Sequence, residues 1–411
     1  MEKKLNILFI TQYFYPENFK GNDIVFDFVA KGHDITVLTA KPNYPSGNFY
    51  KGYKFWGFQN EIIKGAQILR VPIYPRKNGS WLNLFLNYIS FIFFSYFAIK
   101  FNFKKKYDAI FVQQLSPITI ALPGIWVKHN KYNRTTPIFL WVLDIWPESF
   151  ISNTGVNFIF LNNILNKIVK YIYSESDLIL ISSKNFIISI KEKINIKNKK
   201  IIFFPNWAES IFEEKVILNH PKIIFPIGFN ILFAGNIGEA QGIEVILNAA
   251  KISVMDGINW VIIGDGRKLN WLKKYILENQ VKNVFLFDRV DIVYMPYILS
   301  KANACLITLK NDNKLNYTVP AKLQAYLASG KIILGSIGGE TYDIISNNNI
   351  GLVSKPEDFI SLAKNAIILK NMTIQQREIL EENSKILYKE RYSKKILFNQ
   401  LENLFYLNKI K

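Results

Sequence analysis

Residues 231–242 read ILFAGNIGEAQG: an apolar run, a glycine turn, then the opening of a helical pattern. A strand that ends in glycine and hands over to a helix aims backbone N–H groups and the positive end of a helix dipole at one spot. Such a spot suits an anion, most often a phosphate. The turn has neither the lysine of a nucleotide-hydrolase loop nor the G-x-G-x-x-G of a dinucleotide site. The identity of the anion therefore has to come from the rest of the chain.

Downstream, WVIIGDG (260–266), VFLFDRV (284–290), CLITLK (305–310), IILGS (332–336) and GLVS (351–354) alternate with helical patterns. Upstream the same alternation runs through NILFIT (6–11), DITVLTA (34–40), AIFVQQL (109–115), IFLWVLD (138–144), LILISS (178–183) and KIIFFPN (200–206). Continuous Val/Ile/Phe strands separated by helices predict parallel strands covered on both faces. Two such series predict an α/β protein of two successive doubly wound domains. The seam is expected between Pro205 and Pro226, a stretch with three prolines and no periodicity. This gives a first domain over 1–206, a second over 207–374, and a last helix in 375–411 that packs through Leu380, Ile386, Leu387, Leu397, Leu401, Leu404 and Phe405 and crosses back to the first domain. Ligands of such sheets bind beyond the carboxyl ends of the strands, so a cleft between the two domains is the expected active site.

With 411 residues, 49% of them hydrophobic, the chain has material for two cores. Its formal net charge of +19 is uneven: residues 1–206 carry 26 Lys+Arg against 12 Asp+Glu, and 207–411 carry 25 against 20. The first half is expected to face something anionic, nucleic acid or a lipid surface, unless the excess is simply solvated lysine. The one cysteine, Cys305 in ANACLITL, reads as a buried strand residue; it excludes an internal disulfide and points to a reducing compartment. The start, MEKKLNILFITQYFYPE, has too short an apolar run for a signal peptide and reads as a first strand.

One segment breaks the alternation. Residues 78–99, NGSWLNLFLNYISFIFFSYFAI, carry no charge and lie between Arg76–Lys77 and Lys100 with Lys104–Lys106. A span across a bilayer has the right length, but the next strand follows within about ten residues. A core helix would not be so uniformly apolar and aromatic. A helix dipping into one leaflet, with Trp81, Tyr88 and Tyr96 at the interface and lysines on phospholipid headgroups, fits both composition and charge; it is the reading taken, and it favours a lipid surface over nucleic acid.

Asp144 stands at the carboxyl end of IFLWVLD, where active-site groups collect, and equally suits a helix N-cap ahead of Pro147. Glu148, four residues on, either lines the same cleft or favours the helix dipole. In YTVPAKLQAYLASGKIILGSIGGE, Lys322 falls near a helix start, an unfavourable place for a cation unless an anion, such as a diphosphate, lies opposite; the alternative is a solvated lysine. IIGDGR (262–267) is a second strand-to-helix turn, suited to the base or ribose side of a nucleotide. His33, His129 and His220 are scattered, no Asp-x-Asp or cysteine cluster offers a metal site, and no G-x-S-x-G elbow supports acyl transfer. His33 is expected in a helix-to-strand turn.

QYFYPENF, KGHDITVLTAKPNYPSGNFYKGY, LWVLDIWPESF, LFAGNIGEAQGIEVILNAA, VIIGDG and VPAKLQAYLASGKIILGSIGGE, in this order, resemble the family 4 retaining glycosyltransferases of the GT-B fold, nearest to their WbuB-like bacterial surface-polysaccharide branch. The resemblance spans about residues 5–370. It implies two facing Rossmann-like domains with a cleft between them, and a UDP-sugar held mainly by the second. It also implies a lipid-linked or growing glycan as acceptor in the first, no metal, no cofactor, and a place on the cytoplasmic face of the inner membrane. The sugar implied is an N-acetylated deoxyhexosamine such as N-acetylfucosamine. By that likeness the donor site comprises Gly235, Asn236, Gly238, Gln241, Asp265, Lys322, Gln324 and Glu340, the acceptor side Asn22, Asp144 and Glu148, and the catalytic pair Asp144 and Lys322. Two departures stand out. Asn236 and Gln241 fall where many members place an Arg and a Lys on the diphosphate, and the family's two glutamates, with seven residues between them, fall at Asn316 and Gln324. Weight shifts to Lys322 and the backbone of Gly235–Gly238. Two other readings stay open: a UDP-sugar 2-epimerase of the same fold, and a membrane-bound partner that has lost its chemistry. A nicotinamide oxidoreductase is disfavoured by the missing G-x-G-x-x-G.

Overall fold

The computed structural model describes residues 4–148, 159–214, 218–219, 223–312 and 315–409. The chain divides into two compact units, Met1–Phe204 with Phe398–Lys411, and Pro205–Leu397.

The first unit is built on an eight-stranded sheet of β1 (Asn6–Ile10), β2 (Asp34–Ala40), β3 (Gln59–Ile63), β4 (Ala66–Val71), β5 (Ala109–Gln114), β6 (Ile138–Val142), β7 (Leu178–Ile181) and β8 (Lys200–Phe203). Their order is β3-β4-β2-β1-β5-β6-β7-β8. β1 lies parallel between β2 and β5, Ile7 opposite Ile35 on one side and Ala109 on the other. Its residues Leu8 and Ile10 are wholly buried, as a strand covered on both faces requires. β3 and β4 form an antiparallel hairpin that the alternation does not predict. They are joined by two residues, Lys64 and Gly65, at φ 47° and 86°. A two-residue hairpin turn with positive φ at both positions usually advertises itself as Asn-Gly or Asp-Gly; lysine in the first place hides it.

The helix Trp81–Asn102 buries Asn87, Phe91, Ser95, Ala98 and Ile99, a narrow stripe at helical spacing. It leaves Trp81, Phe85, Ile89, Phe93 and Phe101 about half exposed or more. It is long and apolar enough to cross a membrane by length and composition, with little of it buried. It is therefore not a core helix. Trp56, 74% exposed, packs edge-on against Phe94 of this helix and widens the same uncovered apolar surface. His33 sits in the expected helix-to-strand turn, buried, its Nε2 2.8 Å from Glu402 Oε1.

The second unit holds a six-stranded, wholly parallel sheet: β9 (Phe229–Asn236), β10 (Ile258–Asp265), β11 (Val284–Phe287), β12 (Ala304–Thr308), β13 (Ile333–Ser336) and β14 (Gly351–Ser354). The order β11-β10-β9-β12-β13-β14 reverses between β9 and β12. That switch point is where a crevice opens at the carboxyl ends of the strands. Ile231, Phe233, Trp260, Leu306 and Leu334 meet Ile246, Leu362 and Ala366 of the covering helices in one core. Cys305 is buried in β12, and burial pushes its thiol up to about 12. The single helix expected over 375–407 is two, Ile374–Arg391 and Lys394–Lys409. The first starts on a capping box of Thr373 with Gln376, and Ile386, expected to pack, is 42% exposed.

Candidate active site

β9 and β10 run side by side with Gly235 opposite Gly264 and Asn236 opposite Asp265. A Cβ on Gly264 would lie 1.9 Å from the Gly235 carbonyl oxygen, so only glycine lets the strand ends approach this closely. The two ends carry no side chains there, and a cavity of about 560 Å³ opens over them. Its other walls come from Arg289 beyond β11, from Met295 and Leu299, and from the helix Lys322–Ala328 with Ala325 and Tyr326. A concave site at the switch point, largely apolar with a few polar groups, is the usual form of a small-molecule site.

Lys322 is the first residue of its helix. Its stem keeps some exposure, but Nζ is out of contact with solvent and has no hydrogen-bond partner among the described residues. The ammonium stands 3.9 Å from the centroid of the Phe233 ring. It is also 3.5 Å from where a Cβ on Gly235 would be. Burial pushes its pKa down to about 7. An interior cation with only a ring face to stabilise it is costly unless an anion joins it, and the cavity it borders has bare backbone for a floor.

The other expected donor-side residues divide. Gly235, Asn236 and Asp265 border the cavity with Lys322; Gly238, Gln241, Gln324 and Glu340 are not among its walls. Asn236 Nδ2 donates to Gln241 Oε1 at 3.2 Å, so the two neutral side chains that replace Arg and Lys bond each other. The lysines nearby are held by carboxylates: Lys310 by Glu239 at 2.9 Å, and Lys268 by Glu239 at 3.3 Å and by Glu244. Asp265 Oδ1 accepts from the N–H of Gly266 at 2.7 Å, closing its own turn. Gln324, 2% exposed, turns back on its own helix start; with its amide oriented to donate toward the carbonyls it faces, the nitrogen reaches Pro320 O and Ala321 O at 3.2 and 3.0 Å. Glu340 is buried in the first turn of the helix Gly339–Asn347, where its charge acts on Tyr392. Arg289 was hidden because VFLFDRV reads as one strand; β11 stops at Phe287, and the next residues form the cavity rim.

On the acceptor side, Asn22 bonds backbone at both ends, accepting from Tyr15 N at 3.0 Å and donating to Glu17 O at 2.7 Å. Glu148 is ion-paired to Lys193 at 2.6 Å, a lysine whose side chain is 8% exposed, and accepts from Ser189. Both residues hold the fold. Asp144, half-buried just past β6, lies close enough to Tyr88 and Tyr173 for its charge to act on both hydroxyls. The helix start it was expected to cap falls on residues outside those described, and His220 lies outside them too.

Residues 224–386 match the family of glycosyl transferases group 1. Among curated proteins, the chain is 29% identical over 239 residues to the probable glycosyltransferase WbjE of Pseudomonas aeruginosa, a match that takes in 55% of this chain and only 58% of that relative's length. It is 24% identical over 313 residues to the putative colanic acid biosynthesis glycosyl transferase WcaI of Escherichia coli K12, covering 73% of this chain and 74% of WcaI. Among solved structures, it shares its fold with the Escherichia coli trehalose-6-phosphate structure bound with UDP-2-fluoro glucose, at a TM-score of 0.71 and 10% identity over 98% of this chain and 99% of that one. The unit that carries the cavity thus matches the group 1 glycosyl transferases over residues 224–386, in a chain with the GT-B fold of two Rossmann-like domains.

Proposed function

We propose that this chain is a retaining, metal-independent glycosyltransferase of bacterial polysaccharide synthesis. It takes a sugar, an N-acetylated deoxyhexosamine such as N-acetylfucosamine, from a UDP-sugar and adds it to a lipid-linked or growing glycan of the O-antigen or capsule kind. It works on the cytoplasmic face of the inner membrane. The observation that carries this reading is the unpartnered Lys322 ammonium beside the glycine-floored cavity. The likeness to a structure bound with UDP-2-fluoro glucose supports a nucleotide-sugar there.

In such a transfer negative charge grows on the leaving UDP while the sugar carbon becomes cationic, so donors aimed at the diphosphate gain strength as the bond breaks. Lys322 and the backbone around Gly235 supply them. Metal independence assigns the diphosphate charge to those donors alone. Asp144 orients the acceptor hydroxyl or steadies the cationic sugar. The uncovered aromatic face of Trp81–Asn102, flanked by Lys77, Lys100 and Lys104–Lys106, supports peripheral attachment to an anionic bilayer.

The test is UDP release from a panel of UDP-sugars with a lipid-linked acceptor. Transfer is expected only when donor and acceptor are both present. Conversion of the donor with no UDP released would establish the epimerase, and no turnover with any donor the non-catalytic partner. Asp144→Asn keeps a capping oxygen and removes the charge, so it is expected to cut transfer while thermal stability and UDP binding hold. Wild-type transfer in a folded variant would take Asp144 out of the site.

A further inference from the structure

We propose that Glu209 takes the two hydroxyls of the donor's ribose, so that the enzyme accepts ribonucleoside diphosphate sugars and discriminates against their deoxyribose counterparts. The proposal rests on the transferase reading above and names a residue that selects its donor.

Glu209 and Phe212 lie in the connection that opens the second unit, around the single short helical turn Ser210–Phe212, and both are walls of the Lys322 cavity. The turn packs against two helices at once, Lys322–Ala328 and Met295–Lys301. It is also tied down by side chains from further along the unit. The buried Tyr388 hydroxyl donates to Glu213 Oε1 at 2.8 Å and meets the backbone of Ala208, and Lys394 Nζ donates to Ser210 Oγ at 2.8 Å. A carboxylate on a wall fixed in this way is a placed acceptor, not the tip of a free loop.

Lys322 and the bare backbone of Gly235 make one side of the cavity, suited to the diphosphate; Val290, Met295 and Leu299 make an apolar side, suited to a flat base. The turn bridges the two helices that carry these sides, which sets Glu209 and Phe212 over the stretch between them. That is where the ribose of a nucleotide joins its phosphates to its base. A carboxylate offers two oxygens to two vicinal hydroxyls, and an acidic side chain on the ribose is the usual partner in doubly wound nucleotide sites. Among the described residues the cavity walls include one other carboxylate, Asp265, whose Oδ1 accepts from Gly266 N–H in its own turn. Gln324, two residues from Lys322, is turned onto its own helix start. A deoxyribose would leave an oxygen of Glu209 without its donor, and a site built to receive a hydroxyl discriminates against the ligand that lacks it.

The experiment titrates the full-length protein in neutral detergent micelles with UDP, dUDP and dideoxy-UDP by calorimetry; the three share base and diphosphate. Affinity is expected to fall in that order, by about tenfold or more from first to last. Removing a negative charge favours every diphosphate alike, so the readout is the ratio of UDP affinity to dideoxy-UDP affinity. Glu209→Gln is expected to erase most of that ratio. A wild-type ratio near one, or a ratio that Glu209→Gln keeps in full, would overturn the proposal. Loss of the ratio in Asp265→Asn but not in Glu209→Gln would overturn it as well, by giving the hydroxyls to Asp265. If Glu209→Gln fails to fold, Glu209→Asp, which keeps the charge and shortens the reach by one methylene, is expected to cut the ratio several-fold; an unchanged ratio there overturns the proposal too. Failure of the wild-type protein to bind UDP at all is a separate result and counts against the transferase reading instead.

Discussion

The two units bring the carboxyl ends of parallel strands to opposite conditions. In the second, β9 and β10 bring Gly235 and Gly264 face to face near their ends, the space above them is open, and among the described residues the buried Lys322 ammonium has no partner. In the first, the corresponding region past β1 and β2 is filled. Glu17 accepts from the backbone N–H groups of Phe14, Asn43 and Tyr44 at 3.2, 2.8 and 2.7 Å, and Gln12 donates to Asn87 at 2.6 Å. One region keeps a charge waiting for a ligand; the other answers its buried carboxyl group, Glu17, from within. Electrostatic catalysis is expected to concentrate in the second unit, and positioning in the first.

The sharpest way to break that contrast is Lys322→Ala. Loss of one donor aimed at developing charge in a dry site costs about 2.7–4 kcal/mol, or roughly 10²–10³ in kcat. Because the residue is an uncompensated interior cation, the melting temperature is expected to hold or rise. Unchanged turnover would mean a bystander lysine. A pH signature accompanies it. With the pKa near 7 in the free protein and raised once a diphosphate joins it, UDP binding above pH 7 must take up a proton. UDP affinity should therefore fall by up to about tenfold per pH unit above 7 in wild type, and lose that slope in Lys322→Ala.

Next in size is Gly264→Ala. The added methyl would meet the Gly235 carbonyl at 1.9 Å, and backbone cannot swing aside as a side chain can. Separation of β9 from β10 is expected to cost about 1–3 kcal/mol, which for a unit of this size lowers the melting temperature by roughly 2–4 °C per kcal/mol. Protection by UDP should be lost as well. Full stability with full UDP protection would show that the strand ends are not held in close register.

The strands of both sheets were legible because parallel strands buried on two faces have to be continuous apolar runs, as in NILFAG and IFLWVLD. The β3–β4 hairpin was not, because Lys64 occupies a turn position where Asn or Asp is the usual marker. The site was half legible. That Lys322 begins a helix follows from pattern alone; that its ammonium lies beside the ILFAG turn, on the Phe233 ring and with no partner among the described residues, depends on packing between distant segments. The same limit applies to Gln324, whose inward turn depends on which carbonyls happen to lie within reach, and to Glu148, whose partner Lys193 is 45 residues away. Arg76 and Trp56 stood in plain view as basic and aromatic residues near an apolar segment. Nothing local distinguishes an arginine caged by tyrosines from one in solvent.

The smallest effect tests the filled region. Glu17 is 1% exposed, and burial pushes its pKa from 4.5 up to about 7 despite three amide donors that favour the charged form. Between those values the folded state binds more protons than the unfolded chain. The contribution of Glu17 to stability is therefore fully present below pH 4.5 and is lost as pH rises through about 7. Glu17→Gln has no charge to bury. It keeps one oxygen for the Asn43 and Tyr44 amides and turns an NH₂ toward Phe14, a loss of about 1 kcal/mol or less near pH 5. With rising pH the deficit should shrink, since only the wild type then buries a carboxylate. Melting temperatures of both proteins from pH 5 to pH 8 read this directly, and turnover should be unaltered if the region only positions the chain. A deficit that grows with pH would mean that the three amides outweigh burial and that Glu17 is a stabilised carboxylate; the first unit would then hold a fixed negative charge, and its contrast with the waiting cation of the second would be one of sign rather than of neutrality.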